Sequence, residues 1–561
     1  MNDLPEGLAL IAARLDALEK RVAALELPSP THILPTTPAG APTAGELPPA
    51  RSGGVQTSHF AVLGKAMLGI AGAYLLRAVA ASGAVPGPAM AVVAVLYATG
   101  WLLWAARLPA ATVFASITYA VTSAVILAPM LWEETLHFKT ISAGASACVL
   151  AGFAAVATVA TWRRRRPAVS AVAQLAAAAA ALGLAVATHA MAPFLATLLA
   201  LAFLCELDVA RGHVQPMRPL VNGIADLGIW ASIYVYSGPE GSHSEYPVLA
   251  SGVLLGLACA FFVIQAGAIG ARALALKQHV TLFEAAQALI AFSLAAASVL
   301  YFAPRSGTVV LGGACLVLSA ACYRAAFSRF RRLDVPRNFN VFCAWGAGLL
   351  LAGTFWSMPP ASMAVCMGIA AVAGTMIGVR IECTTLQWHG AVFLFAGAAA
   401  SGLFQIGARA LVGSQPSAPD WIILVVSACS VICYAISQDR SGEEWRRQVL
   451  HLALALLALY AVAALLAEGL IGLAGLGMAL DDFHLAFLHS VTLCATALLA
   501  ALGGSRWSRP AMTRMAYATL ALMAGKLLFE DLRHGRMEFI AGSIFLFAIT
   551  LMAVPRLART R

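Results

Sequence analysis

Asp226 and Asn222 stand one helical turn apart in an otherwise apolar run, 219–238. A carboxylate roughly seven residues into such a run lies about 10 Å below its end, too far for so short a side chain to reach the surface of a bilayer. The pair fits a polar cavity in which Asp226 carries a proton or holds a solute; the structural alternative is an ion pair with a buried Arg or Lys. Glu284 and Gln287 share a side of the run 281–303. Glu284 falls in the first turn, where the helix dipole favours it and water is within reach. His451 and Glu468 occupy opposite ends of one run and cannot act together directly, and Glu206 and Asp208 read as a helix end. Lys65 and Arg77 flank the run 60–82, where long stems carry charges to the headgroups.

Asp481, Asp482, His484 and His489 form the most metal-like grouping, with Asp481 and His484 at i,i+3 and Asp482 and His489 at i,i+7. Carboxylate and imidazole suit a transition metal, but the HExxH spacing of a zinc protease is absent and no second group of ligands is visible. The expectation is a wet interfacial turn with no metal, unless the fold brings Glu133, Glu134 and His137 to it. The last hairpin holds Lys526, Glu530 and Asp531, followed by Arg533, His534 and Arg536. Lys526 and Glu530 are spaced i,i+4 and predict a salt-bridged corner at the interface. A Walker A loop, a GxGxxG turn after a strand and a GxSxG elbow are all missing, so no nucleotide and no cofactor is implied.

The elements that carry these residues are set by composition. Of 561 residues, 61% are hydrophobic and 11% charged, against about 25% charged in a soluble chain. The apolar runs repeatedly reach the roughly 20 residues that cross a bilayer. About 18 of them follow one another between residues 60 and 555, the shortest being 192–207 and 307–323. The fold class read from this is all-α, a polytopic membrane helix bundle of about 18 transmembrane helices, covering residues 59–556 and ending in a basic tail, 557–561. The net charge of +10 then concerns headgroups and orientation and not nucleic acid. Alternate connectors carry basic residues in a ratio of roughly 23 to 5, the rich side including Arg163 to Arg166, Arg218, Arg272 and the stretch Arg324 to Arg337. One span more or fewer would destroy that asymmetry, so both termini are expected in the cytoplasm. Arg324 to Arg337, with Pro336, marks a place where two bundles would divide. Eleven cysteines, an odd number without a CxxC pair, lie mostly inside apolar runs and indicate neither disulfides nor zinc.

Ahead of the first span, Leu8, Ile11, Leu15, Leu18, Val22 and Leu25 follow the a/d spacing of a heptad seam. Residues 1–26 are expected to form a short coiled-coil helix for self-association. So short a seam is marginal alone in water and would act by avidity between membrane-held chains. Residues 27–58, rich in Pro, Ala and Thr, read as a tether.

The LEKRVAALE helix, the Pro-rich tether, a first span carrying basic residues (GKAMLGIAGAYLLRAVAASG), the train of helices and the KLLFEDL segment before the last span together resemble a family of bacterial membrane proteins called domain of unknown function 2339. Lys526, Phe529 and Asp531 match a Lys-then-Asp pattern of that family's last hairpin, and Arg536 its following Arg; the first span lacks the family's Trp and aromatic-rich run. The resemblance implies a bacterial inner-membrane location and no particular activity. Three readings of function stay open: binding or transport of a small or lipidic solute within the bundle, a scaffold of the envelope, and, weakest, an enzyme acting on a lipid-linked substrate.

Overall fold

A computed structural model describes residues 54–82, 85–109, 112–162, 167–238, 245–333, 335–412, 420–437, 445–475, 481–531 and 536–559. The heptad positions Leu8 to Leu25, most of the expected tether and Arg163 to Arg166 lie outside the described residues. Of residues 1–58 only 54–58 are described, and they begin a helix. The described residues contain no strand.

The first half runs through α1 (Gly54–Ala81), α2 (Gly87–Arg107), α3 (Val113–Trp132), α4 (Ala143–Trp162), α5 (Pro167–Ala187), α6 (Met191–Ala210), α7 (Arg218–Ser237), α8 (Ser251–Gly270) and α9 (Leu282–Phe302). The second continues with α10 (Arg305–Ala325), α11 (Pro336–Ser357), α12 (Pro360–Arg380), α13 (Thr384–Ala400), α14 (Leu403–Val412), α15 (Trp421–Ile436), α16 (Trp445–Gly475), α17 (Asp482–Arg506), α18 (Pro510–Lys526) and α19 (Met537–Arg559). Proline in the first two positions starts α2, α7, α11, α12 and α18, where the missing N–H costs nothing. Four helices end in a π-helical turn: Glu133–His137 after α3, Ala271–Ala275 after α8, Ala326–Phe330 after α10 and Leu527–Asp531 after α18. The extra residue in such a turn shifts the phase of the side chains that follow.

Fourteen of these helices are long and apolar enough to cross a membrane, or 15 if the bent pair α13 and α14, angled by 62°, is one span. The two shortest sequence runs become complete helices, α6 and α10, of 20 and 21 residues, because their charged ends remain helical. The helices left out are α15, at 16 residues, α18, at 17, and α7, which has 20 residues but is more polar. Large apolar side chains such as Phe60, Leu68, Tyr74 and Phe545 stand outward, each more than 60% exposed. A surface of that kind suits lipid and would aggregate in water.

Most successive helices pack on one another, and small residues set the closest approaches. A Cβ on Gly312 of α10 would sit 2.9 Å from the Gly353 carbonyl of α11, and one on Gly390 of α13 would sit 3.0 Å from the Ala371 carbonyl of α12. One apolar core runs from Ala66 to Ala291 and a second from Ala347 to Ala511. The α10–α11 hairpin stands between them, with the basic stretch Arg324 to Arg337 at its turn. A smaller core joins α16 to α19 through Leu459, Ala501 and Val554.

Candidate functional site

The most polar region of the interior lies where α6, α7, α8 and α9 meet. Glu206 and Asp208, near the end of α6, are both buried. Two residues apart, they turn to different neighbours, and each anchors a network of its own. Glu206 accepts from Arg218 of α7 through both oxygens, from Nε at 2.8 Å and Nη2 at 2.9 Å. Its Oε2 also faces Nη1 of Arg272 at 2.9 Å. Glu284, in the first turn of α9, closes the square: its Oε1 lies 3.1 Å from Arg218 Nη1 and 3.0 Å from Arg272 Nη2. The four side chains are 3–9% exposed. Two positive and two negative charges therefore cancel inside the bundle, which is the condition for keeping any of them charged there.

Local chemistry holds each corner. Glu284 forms a capping box with Thr281, accepting its N–H at 2.9 Å while the Thr281 hydroxyl accepts the Glu284 N–H at 3.2 Å. Arg272 sits in the π-helical turn 271–275, which closes with the Leu276 N–H on the Ala271 carbonyl. The chain then turns through Lys277 at φ 53°, in the left-handed region where few non-glycine residues lie. Arg218 opens α7, stacks over the Phe283 ring at 5.2 Å and leaves Nδ2 of Asn222 to approach Glu206 at 3.3 Å.

Three sequence readings are corrected here. Glu206 and Asp208 do not simply end a helix. Glu284 does not reach water but is buried between two arginines. Arg218 and Arg272 are interior charges and not connector charges; removing both leaves a basic asymmetry of roughly 21 to 5, still one-sided.

Asp208 accepts from Trp162 Nε1 at 2.5 Å, from Gln174 Nε2 at 3.3 Å and from Gln215 Nε2. Gln174 extends the network to the Thr158 hydroxyl at 2.9 Å and accepts from the Cys205 thiol at 2.9 Å. Neutral donors thus satisfy this carboxylate, and they tie α4, α5 and α6 together.

Asp226 stands eight residues beyond Arg218 on α7, about 12 Å further along the axis. It is half-buried. Its partner is Gln287 of α9, whose Nε2 donates to Oδ1 at 3.0 Å and Oδ2 at 2.9 Å. The carboxylate is therefore held by a neutral amide and not by the buried Arg or Lys of the structural alternative. Asn222 and Asp226 do not share a partner. Along the same interface Asn222 Oδ1, Gln265 Nε2 of α8 and Ser298 Oγ of α9 are buried without a hydrogen-bond partner among the described residues. A discontinuous polar track thus leads from the charge square up between α7, α8 and α9.

The remaining candidates gather at one corner of the second half. Asp481 caps α17, its Oδ1 accepting the His484 N–H at 3.0 Å and meeting the His484 ring Nδ1 at 2.5 Å. That backbone N–H, with the ring and Arg536 at 3.9 Å, holds the Asp481 carboxyl below the usual carboxylate range. Asp482 is exposed, whereas His489 is buried two turns deeper. Lys526 donates to the Ala486 carbonyl at 2.9 Å, to Ser490 Oγ at 3.0 Å and to Asp531 Oδ1 at 2.5 Å. The expected i,i+4 partner was Glu530, whose side chain lies outside the described residues, as do Arg533 and His534. The π-helical turn 527–531 brings the fifth residue, Asp531, to Lys526. Glu133 pairs with Arg77 at 2.7 Å, so Arg77 has a protein partner in place of a headgroup, and Glu134 bonds Thr140. Among the described residues no three His, Cys, Asp or Glu side chains are placed to hold a metal ion.

No protein-family model matches this chain, and neither does any curated protein or solved structure.

Proposed function

We propose that this chain is a multi-pass protein of the bacterial inner membrane that binds or moves a small solute along the α7–α9 interface, with Asp226 as the exchanging group. The observation that supports it most is the contrast between two kinds of buried carboxylate. Glu206 and Glu284 are neutralised by arginines and have the character of a lock. Asp226 is bound by an amide that suits either protonation state, in a bundle position where ionisable groups are costly and function is the usual reason to keep one. The test is reconstitution into vesicles enclosing a pH-sensitive dye, followed by an external acid pulse. Wild type should equilibrate pH faster than empty vesicles, and Asp226→Asn should fall back to the empty rate with unchanged helix content. Equal rates for all three would sink the reading.

A second reading is favoured by the completeness of the charge square: an envelope scaffold whose polar groups only fix helix positions. An intramembrane enzyme has less support, since the Asp481–His489 and Glu133–His137 groups do not combine. In this proposal the 14 apolar helices, together with the polar α7, the bent α13–α14 pair, α15 and α18, make about 18 spans. That even number agrees with the distribution of basic connectors and puts both termini in the cytoplasm. The seam of Leu8, Ile11, Leu15, Leu18, Val22 and Leu25 would join copies of the chain, and the family proposed for it is the one it resembles in layout, domain of unknown function 2339.

A further inference from the structure

A groove of different character opens between the two apolar cores. Its walls include Phe262 and Ile269 of α8, Leu318 and Cys322 of α10, and Phe342 and Trp345 of α11. Its cavity volume is about 100 Å³, below the roughly 300–1,000 Å³ of pockets that enclose a whole ligand, so it is a shallow groove open along one side. Along α8 it runs from Phe262 to Gly270, about 12 Å of helix. Aromatic rings close one end, where Phe292 meets Phe262 at 5.5 Å and Trp345 at 6.2 Å. At the other end Phe330 packs on Phe342 at 4.9 Å, and beyond it the surface is basic.

Arg329 defines that end. It lies in the π-helical turn after α10, is exposed, and donates Nη2 to the Leu274 carbonyl of the turn after α8 at 3.2 Å. Its guanidinium therefore bridges the two helices at the foot of the groove, and its further N–H donors point to an anion of suitable geometry. Lys277, Arg324, Arg332 and Arg337 are exposed at the same end of these helices. Hydrocarbon walls beneath a cluster of cations complement one kind of molecule available in a bilayer.

We propose that the groove binds an acyl chain of an anionic phospholipid, whose headgroup phosphate is held at Arg329. This goes beyond the solute reading and is independent of Asp226. An ordinary boundary lipid would show no preference for headgroup, whereas each basic residue near the membrane surface favours an anionic lipid by about fivefold.

The experiment uses the full chain in phosphatidylcholine vesicles doped with lipid brominated on its acyl chains, which quenches tryptophan on contact. The contribution of Trp345 is the difference between wild type and Trp345→Phe. Half of it should be quenched at about a fivefold lower fraction of brominated phosphatidylglycerol than of brominated phosphatidylcholine. Arg329→Gln should lower that ratio severalfold, leaving only the general attraction of Lys277, Arg324, Arg332 and Arg337 for anionic lipid, and Arg329→Lys should retain most of it. Ala288→Leu, which fills the groove from α9, should abolish quenching of Trp345 by either lipid. Equal half-quenching by the two lipids in wild type would mean boundary lipid only and would overturn the proposal, as would a Trp345 signal that neither lipid quenches.

Discussion

Replacing Glu206 with Gln keeps the shape of the charge square and removes one of its negative charges. The square then holds two arginines and one carboxylate, an excess positive charge in side chains less than a tenth exposed. Glu206 takes three of the close contacts with arginine, two from Arg218 and one from Arg272, as well as that of Asn222. Removing one partner of a buried pair costs about 3–5 kcal/mol, most of it the burden of the charge left behind, and Glu206→Gln should fall in the upper half of that range. Glu284→Gln should cost less, because Gln at that position still reaches back to the Thr281 N–H in the capping box. The double variant Glu206→Gln with Arg272→Met restores neutrality and should be more stable than the sum of the two single losses by about 2 kcal/mol, within the range of coupling between contacting groups. The assay is denaturant unfolding of the purified protein in mild detergent, followed by circular dichroism, over the full double-mutant cycle. A Glu206→Gln loss below about 1 kcal/mol, or strict additivity in the cycle, would refute the view that the four charges act as one neutral unit.

Lys526→Met should destabilise the α17–α19 corner by about 3 kcal/mol or more by stranding Asp531, and Lys526→Met with Asp531→Asn should recover most of it in the same assay. Arg509 donates to the carbonyls of Tyr434, Ala435 and Ser437 at 2.6–2.7 Å. Arg509→Gln should therefore cost about 1–3 kcal/mol and speed hydrogen exchange in the last turn of α15. The Asp481 cap should be pH-dependent. Its carboxyl titrates lower in the folded chain than in the unfolded one, so its contribution is complete above the unfolded value of about 3.9 and is lost as pH falls through the lower folded value. Protection from hydrogen exchange at the start of α17 should fall on acidification in wild type, and the Asp481-dependent part of that loss should vanish in Asp481→Asn, which still caps but does not ionise.

The charge square shows why some residues were legible in the sequence and others were not. Asp226 was visible because one short carboxylate deep in an apolar run is conspicuous from spacing alone. Gln287 was visible as the polar neighbour of Glu284 on one side of its run, though nothing in the sequence joined it to Asp226, 61 positions away. Glu206, Arg218 and Arg272 were hidden because each lies at the end of a run, where a charge is ordinarily in water. A usable signal was there: both arginines border apolar runs that contain polar residues on one side, Asn222 after Arg218 and Gln265 before Arg272. The pairing of Lys526 with Asp531 was hidden for a different reason. It depends on a turn of π-helix, which brings the fifth residue onto a face that α-helical spacing does not match.

What the chain alone determines is that it is helical and where most of the helices fall, because length and apolar content decide whether a segment can satisfy its backbone in lipid. That calculation is local and needs no knowledge of neighbours. Only the tertiary structure decides which charges are inside, since Arg218 and Arg272 become interior groups through the packing of α6, α7, α8 and α9 around them. The cost of burying a charge is offset by a partner from another helix, and no property of one helix reveals which partner that is.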